Sequence, residues 1–146
     1  MNNQNNDYEI LKATLWEQFG NTPTDQQRGI SAPPIQKPAP DDALLVDLPT
    51  VAENNLGALP VREAIAQRAS RRQYTGDPLT LPKLAYLLWS TQGIRHRIRG
   101  THSATRNVPS AGARHPFETY ILANKILDVP YGLYRYLPLS HQLCLL

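Results

Sequence analysis

Three strand-like runs joined by short spacers are the feature that most constrains the fold of this sequence. The runs are FETYILAN (117–124), YGLYRYL (131–137) and HQLCLL (141–146). Their aromatic and aliphatic content is typical of strands, and spacers such as LDVP and PLS favour antiparallel neighbours. The sequence therefore predicts an antiparallel meander in this region.

Two helical patterns precede these strands. PVREAIAQRAS (60–70) begins with a proline, which suits a first helical turn. Thr80 can cap a second helix, which has Pro82 in its first turn and ends at Gly93. Helical spacing puts Val61, Ala64, Ile65 and Arg68 on one face of the first helix, and Leu81, Leu84, Leu87, Leu88 and Thr91 on one side of the second. Helices followed by antiparallel strands predict an α+β domain.

The first 58 residues differ in character from the rest. Residues 7–19 have the spacing of an amphipathic helix, which Asp7 can cap and Gly20 can end. Prolines are concentrated in the segment that follows, where they fix φ and remove backbone donors. We predict an N-terminal helical segment (1–20), an extended, unpacked proline-rich tether (21–58) and a globular domain (59–146). Within the tether, ALLVDLP (43–49) could add a short strand or lie on the surface of the domain.

Charge is distributed unevenly along the chain. The net charge is +3, but residues 61–117 carry ten basic and two acidic side chains. Residues 1–60 carry three basic and eight acidic side chains. An anionic ligand is therefore expected against the middle of the sequence.

Composition and motifs argue against several classes of protein. No apolar run is long enough to span a bilayer, and MNNQNNDYEI has no secretory signal pattern, so we expect a cytoplasmic protein. Cys144 is the single cysteine and is expected to be a small buried residue. Dinucleotide and P-loop glycine motifs are absent, and no serine lies in a hydrolase motif. No metal site is expected, and we predict surface positions for His96, His102, His115 and His141.

The first candidate binding element is RASRRQY (68–74). Arg68, Ser70 and Arg72 alternate, so in an extended segment their side chains point the same way. Two guanidinium groups and a hydroxyl could then bind the oxygens of one phosphate. The alternative interpretation is a solvated basic patch near a helix C-terminus.

The second candidate element is RNVPSAGARHPFETYIL (106–122). Ala111 and Gly112 allow backbone N–H groups to approach a planar or anionic ligand, because little side chain intervenes. Arg106 and Arg114 could supply positive charge. The alternative is an ordinary loop that leads into a strand, with Pro109 and Pro116 as residues that interrupt regular secondary structure.

The two elements lie in a wider pattern. AIAQRASRRQYTGDPLTLPKLAYLLWSTQGI, RNVPSAGARHPFETYIL and VPYGLYRYLPLSHQLCLL, in that order, resemble the nitroreductase superfamily, and most of all its SagB-type dehydrogenase branch. The resemblance covers about residues 59–146. It implies an α+β sandwich, with an antiparallel sheet and flanking helices, completed by both subunits of a homodimer.

The resemblance also implies a cofactor, FMN, bound at the dimer interface. Arg68, Ser70 and Arg72 would hold its phosphate and ribityl chain. The ring or the adjacent backbone turn would be lined by Pro109, Ser110, Ala111, Gly112 and Ala113. Hydride would move to and from flavin N5, with no catalytic side chain required. NAD(P)H would be the reductant in nitroreductase-like members, whereas SagB-type relatives oxidise azoline rings in peptides.

The sequence departs from the family pattern in two respects. Many nitroreductases carry an amide side chain at the position of Ala113, so that flavin contact is lost here. The family domain also continues beyond the point matched by HQLCLL, so we expect the fold to be incomplete at its C-terminus. The last strand would then be an open edge, and the chain would be unstable alone or need a partner, either a second copy or a complementing C-terminal half.

Two functions of other classes remain open. The chain could be a binding or scaffold module, or an inactive fragment, without bound flavin. It could also bind nucleic acid through RHRIRG (95–100), within a stretch, residues 94–107, that we interpret as a basic loop. No aromatic residues interrupt that basic run, and this disfavours the nucleic-acid alternative.

Overall fold

The computed structural model describes Gly20 and residues 22–53, 55–98 and 103–146. The helix predicted over residues 7–19 lies outside the described residues. A compact unit, Pro34–Leu146, contains every element discussed below. In chain order these elements are β1 (Leu45–Asp47), α1 (Val61–Gln67), α2 (Leu81–Gln92), β2 (Ile94–Arg97), β3 (Ala104–Arg106), β4 (Tyr120–Ala123), β5 (Gly132–Leu137) and β6 (Gln142–Leu145).

Four strands form the main sheet, in the order β1-β6-β5-β4, with every pair antiparallel. The predicted meander and the α+β class are both confirmed. The prediction that the last strand would be an open edge is wrong. β6 pairs with β5 on one side and with β1 on the other, so that Leu45 lies opposite Cys144. The short strand predicted as a possibility within ALLVDLP is β1, and it covers the edge of β6.

The sheet has one face in the core and an opposite face that is only partly exposed, since Arg135 and Cys144 on it are buried. Side chains alternate across the strands, so Tyr134, Tyr136 and Leu143 point into the core and are almost completely buried. The core also includes Leu48, Leu84, Ala85, Leu88, Ala123 and Val129. The opposite face carries exposed apolar side chains, which we call the outer face: Leu45, Tyr120, Leu122, Leu133 and Leu146.

The two helices differ in how they pack. Helix α2 buries Leu84, Ala85 and Leu88 against the sheet, but Leu87 and Thr91 are exposed, which corrects the predicted apolar side. Ala85 is fully buried, so the side of α2 that faces the core is centred on this small residue. Every residue of α1 is exposed, including Ile65 at 72%. Among the described residues, no helix is both long and apolar enough to cross a membrane.

The proline-rich segment contains turns at residues 25–29 and 41–42, and part of it packs against the domain. The tether prediction is therefore wrong for residues 35–38, which we call the strap. Arg135 donates from Nη2 to the carbonyl oxygen of Pro38 at 2.7 Å, and the backbone N–H of Lys37 donates to Glu118. Proline lacks a backbone donor but keeps its carbonyl acceptor, which a buried arginine can use.

The predicted basic loop over residues 94–107 is also wrong in part. Strands β2 and β3 pair antiparallel, with Ile94 opposite Arg106 and an irregularity between Ile94 and His96. Arg95 and Arg97 are two positions apart, and this spacing is typical of a strand that has one charged, solvated face. Sequence reasoning looked for apolar periodicity and therefore missed this hairpin.

Candidate functional site

The C-terminus of α2 is joined tightly to the segment that follows β3. The carbonyl oxygen of Trp89 accepts hydrogen bonds from the N–H of Gly93 and from Nδ2 of Asn107, both at 2.7 Å. The N–H of Asn107 in turn donates to the carbonyl of Gly93 at 3.0 Å. A Cβ atom at Gly93 would lie 2.6 Å from the Trp89 oxygen, so glycine gives the two segments room to meet.

Residues 109–116 then form a compact turn stabilised by Ser110. The N–H of Ala113 donates to the Ser110 carbonyl at 3.1 Å, and the N–H of His115 donates to Ser110 Oγ at 2.9 Å. Gly112, Ala113 and His115 have positive φ angles of 63°, 52° and 44°. For the two non-glycine residues this conformation costs about 1 kcal/mol each. Strain of this kind clusters at functional sites.

A cleft of about 450 Å³ lies between this turn and the end of α2. Its volume falls in the range of small-molecule binding sites. The N–H groups of Ala111 and Gly112 donate to no other group in the described part of the chain. Phe117, 79% exposed, stands at the rim. The cleft is lined by Gln92, Val108, Pro109, Ser110, Ala111, Arg114, His115, Pro116 and Phe117.

The charge of the cleft comes from Arg114 rather than Arg106. Arg114 is exposed and lines the cleft. Arg106 is buried and already donates to Gln92 and to the strap carbonyl of Ile35, so the prediction that it supplies charge to a ligand is corrected. Partial burial, with a smaller contribution from Arg106, lowers the pKa of His115 and favours its neutral form.

The structure brings together some of the predicted binding residues. Pro109, Ser110 and Ala111 line the cleft, and Gly112 and Ala113 belong to the same turn without lining it. Arg68, Ser70 and Arg72 do not line the cleft. They lie on an exposed segment, residues 68–78, which we call the arm.

The arm has the extended start that the sequence reasoning assumed. Helix α1 ends at Gln67, and Arg68 has φ −60° and ψ 121°. A shared ligand for Arg68, Ser70 and Arg72 requires that the segment stay extended as far as Arg72, so that alternate side chains point the same way. That assignment of roles remains a prediction.

Sequence reasoning missed five residues of the cleft: Gln92, Val108, His115, Pro116 and Phe117. For two of these residues the sequence contains a feature that could have indicated a place in the site. Gln92 precedes the glycine that ends α2, and Phe117 follows Pro116 directly, where the chain enters the strand-like run. His115 was expected on the surface, yet it lines the cleft and is partly buried. His141 is also partly buried rather than on the surface.

A second hollow, of about 740 Å³, lies beside Tyr86, Trp89 and His141. Both ring nitrogens of His141 are already engaged, by the Tyr136 hydroxyl and the Pro49 carbonyl. The imidazole of His141 therefore cannot bind a ligand in this hollow without loss of an internal hydrogen bond. Among the described residues, no cluster of histidine, cysteine and acidic side chains could hold a metal ion.

Comparison with known proteins agrees with the α+β fold and identifies the family. The family model described as "Nitroreductase family" matches residues 65–145. The chain is also 32% identical over 102 residues to the Methanocaldococcus jannaschii protein named "Putative nitroreductase MJ1384". That match covers 70% of this chain and 46% of the relative, so the chain spans about half of the relative's length. The family match covers more than half of this chain, which therefore belongs to the nitroreductase family.

Proposed function

We propose that this chain is part of an FMN-dependent oxidoreductase. Membership of the nitroreductase family supports an oxidoreductase in general. The observation that carries the proposal is the cleft beside the Ser110–His115 turn, where the small residues Ser110 and Ala111 and the cationic Arg114 line one space. In this proposal the cleft receives the flavin ring, and Arg68, Ser70 and Arg72 on the arm bind the phosphate.

The residues of the cleft fit a flavin ring chemically. The side chains of Val108, Pro109, Pro116 and Phe117 offer apolar surface to a planar aromatic system. The turn offers a donor, namely the N–H group of Ala111, a residue that lines the cleft. Arg114 adds positive charge, and no acidic side chain lines the cleft. A planar ring with carbonyl oxygens would therefore meet complementary groups.

The arm fits the phosphate. Arg68, Ser70 and Arg72 are all exposed to solvent, where an anion can reach them. Guanidinium groups bind phosphate oxygens in a bidentate manner, and a serine hydroxyl can donate a further hydrogen bond.

Bound FMN would supply hydride transfer at N5, and the chain would supply binding and orientation. The apolar rim formed by Pro116 and Phe117 would limit the access of water to the ring. No nucleophilic side chain is needed, which agrees with Ser110 being engaged by the His115 N–H within the turn. We further propose that NAD(P)H reduces the cofactor in a cytoplasmic enzyme. Its substrates would be nitro or quinone-type compounds or, as in SagB-type relatives, azoline rings of peptides.

The outer face supports an assembly larger than one chain of this length. It exposes Leu122 at 60% and Leu133 at 46%, directly opposite each other on β4 and β5. Contiguous exposed apolar side chains on a sheet commonly mark an interaction surface. We propose that the working protein is a homodimer or contains a complementing C-terminal half, since the match covers 46% of the relative's length.

A comparison of FMN with riboflavin tests the proposal, because the two ligands share the ring and differ in the phosphate. Wild-type chain mixed with FMN and desalted should keep a visible flavin spectrum. Changing both Arg68 and Arg72 to Ala should weaken FMN binding by at least about tenfold, since two charge-assisted contacts are lost, and should leave riboflavin binding unchanged. Arg62→Ala, which removes an exposed arginine from α1, is the matched control.

The outcomes separate the candidate functions. A colourless wild-type chain would contradict flavin binding by this chain and favour the scaffold alternative. Equal FMN affinity in the double variant and in wild type would contradict the role of the arm. Salt-sensitive retention on a polyanion without flavin binding would instead favour the nucleic-acid alternative.

A further inference from the structure

Gln92 is the last residue of α2 and lines the cleft beside the Ser110–His115 turn. Its side chain has a defined orientation. Arg106 donates from Nη1 to Oε1 of Gln92 at 2.8 Å. An arginine side chain can only donate, so the amide oxygen must face Arg106 and the amide nitrogen must point away from it. The orientation of this amide therefore follows from its partner.

Arg106 is itself fixed. It is buried, and its Nη2 donates to the strap carbonyl of Ile35 at 3.1 Å. The strap thus holds the guanidinium, and the guanidinium holds the oxygen of Gln92. Burial lowers the pKa of Arg106, and the carboxylate of Glu118 opposes this effect, so the side chain stays a cationic donor.

The amide nitrogen of Gln92 is left available for another partner. It donates to no group in the described part of the chain. In that part, the buried side-chain nitrogens and oxygens without a partner are Thr105 Oγ1, Arg106 Nε and Arg135 Nε, and the Gln92 nitrogen is not among them. This nitrogen is therefore accessible, on a residue that lines a mostly apolar cleft.

We propose that Gln92 donates its side-chain amide to a carbonyl oxygen of the ring bound in the cleft, and that Arg106 is the positioning residue for this donor. The inference rests on the proposed flavin function and deepens it by naming the group that recognises the ring. A donor held at one point of an apolar cleft selects a planar ligand with an acceptor there. A ligand without that acceptor leaves the amide unpaired and binds less tightly.

Two variants of Gln92 test the donor. Gln92→Glu keeps an acceptor for Arg106 but presents a second oxygen in place of the NH₂ group. Gln92→Ala removes both groups. We expect both variants to bind FMN and riboflavin about tenfold more weakly, because a ring carbonyl loses its donor. We also expect the midpoint potential of the bound flavin to become more negative in Gln92→Glu, since a donor to a ring carbonyl stabilises the electron-rich reduced ring and a carboxylate destabilises it.

A pair of arginine variants tests the positioning. Arg106 and Arg135 are both buried, and each donates to a strap carbonyl, but only Arg106 contacts Gln92. Arg106→Lys should lower the affinity for riboflavin, whereas Arg135→Lys should not. In ¹⁵N-labelled protein, the side-chain NH₂ signals of Gln92, assigned by their loss in Gln92→Ala, should shift when riboflavin is added to the wild-type chain.

The outcomes distinguish this inference from the proposed function. Weaker binding of both ligands by the Gln92 variants, with riboflavin-induced shifts of the Gln92 signals, would support it. Wild-type affinity for riboflavin in Gln92→Glu, or unshifted Gln92 signals, would overturn it while leaving the flavin function in place. A wild-type chain that binds neither FMN nor riboflavin would overturn both.

Discussion

The hydroxyl of Tyr136 lies 2.8 Å from Nδ1 of His141, and Nε2 of the same imidazole lies 3.2 Å from the carbonyl oxygen of Pro49. A carbonyl only accepts, so Nε2 carries the proton and Nδ1 accepts from Tyr136. Burial raises the pKa of Tyr136 to about 12 and lowers the pKa of His141. The neutral imidazole thus connects β5 to the chain that follows β1.

The first prediction concerns pH. The pKa of His141 is lower in the folded state, so the unfolded chain binds more protons as the pH falls. The stability contributed by the neutral imidazole is complete above a pH of about 6.5 and is lost as the pH falls through the lowered folded pKa. Chemical denaturation at about pH 7.5 and about pH 5.5 should show a smaller free energy of unfolding at the lower pH.

A variant isolates the contribution of His141 from that of His115, whose pKa is also lowered. His141 has a positive φ of 55°, which asparagine tolerates better than most residues. His141→Asn should therefore show a weaker dependence of stability on pH than wild type. Equal dependence in the two proteins would contradict this role of His141.

The second prediction concerns Gly93, where glycine is needed for space and not for conformation. Its φ of −54° and ψ of 133° suit any residue, but an added Cβ would meet the Trp89 carbonyl oxygen at 2.6 Å and Nδ2 of Asn107 at 2.8 Å. Gly93→Ala should lower the free energy of unfolding by about 2 kcal/mol, as overpacking does in other buried sites. Urea denaturation measures this loss, and a change smaller than about 0.5 kcal/mol would contradict it.

The third prediction concerns Gly112, where glycine is needed for its backbone conformation and not for space. An added Cβ would contact Arg114 at an ordinary 3.5 Å, but the positive φ disfavours alanine by about 1 kcal/mol. Gly29 is a matched control outside the arm and the cleft, with φ 72° and open space around it. Both alanine variants should lose similar stability, while only Gly112→Ala should also weaken FMN binding. Equal FMN affinity in the two variants would argue against a flavin at this turn.

Sequence reasoning was most successful where a repeating pattern and the local backbone carried the same information. The three strand-like runs and the helix that ends at Gly93 fall where the spacing of apolar residues and the glycine predicted them. The turn after Val108 was identified by its small residues and prolines. These features depend on neighbours in the sequence, so the sequence displays them directly.

The features that sequence reasoning missed depend on partners far away in the chain. The strap packs because Arg135 and Pro38, separated by 97 positions, form a hydrogen bond that no local pattern indicates. Arg106 looked like a charge for a ligand, but its burial and its bond to Ile35, 71 positions away, give it an internal role. Gln92 enters the site because the Trp89–Asn107 hydrogen bond brings the helix end to the turn.

The last prediction concerns the outer face. Leu122 and Leu133 lie opposite each other, both exposed, so replacing both with Ser removes apolar surface without opening the core. We expect the double variant to bind less of the fluorescent dye ANS and to associate less with other copies or with a complementing half in sedimentation experiments. Its free energy of unfolding should change by no more than about 0.5 kcal/mol per substitution.

Ala123→Ser, a substitution on the core-facing side of β4, is the control for the outer face. This variant should lower stability without lowering dye binding, because the side chain of Ala123 already belongs to the buried core. Unchanged dye binding in the double variant would mean that this face is not an accessible apolar surface in solution.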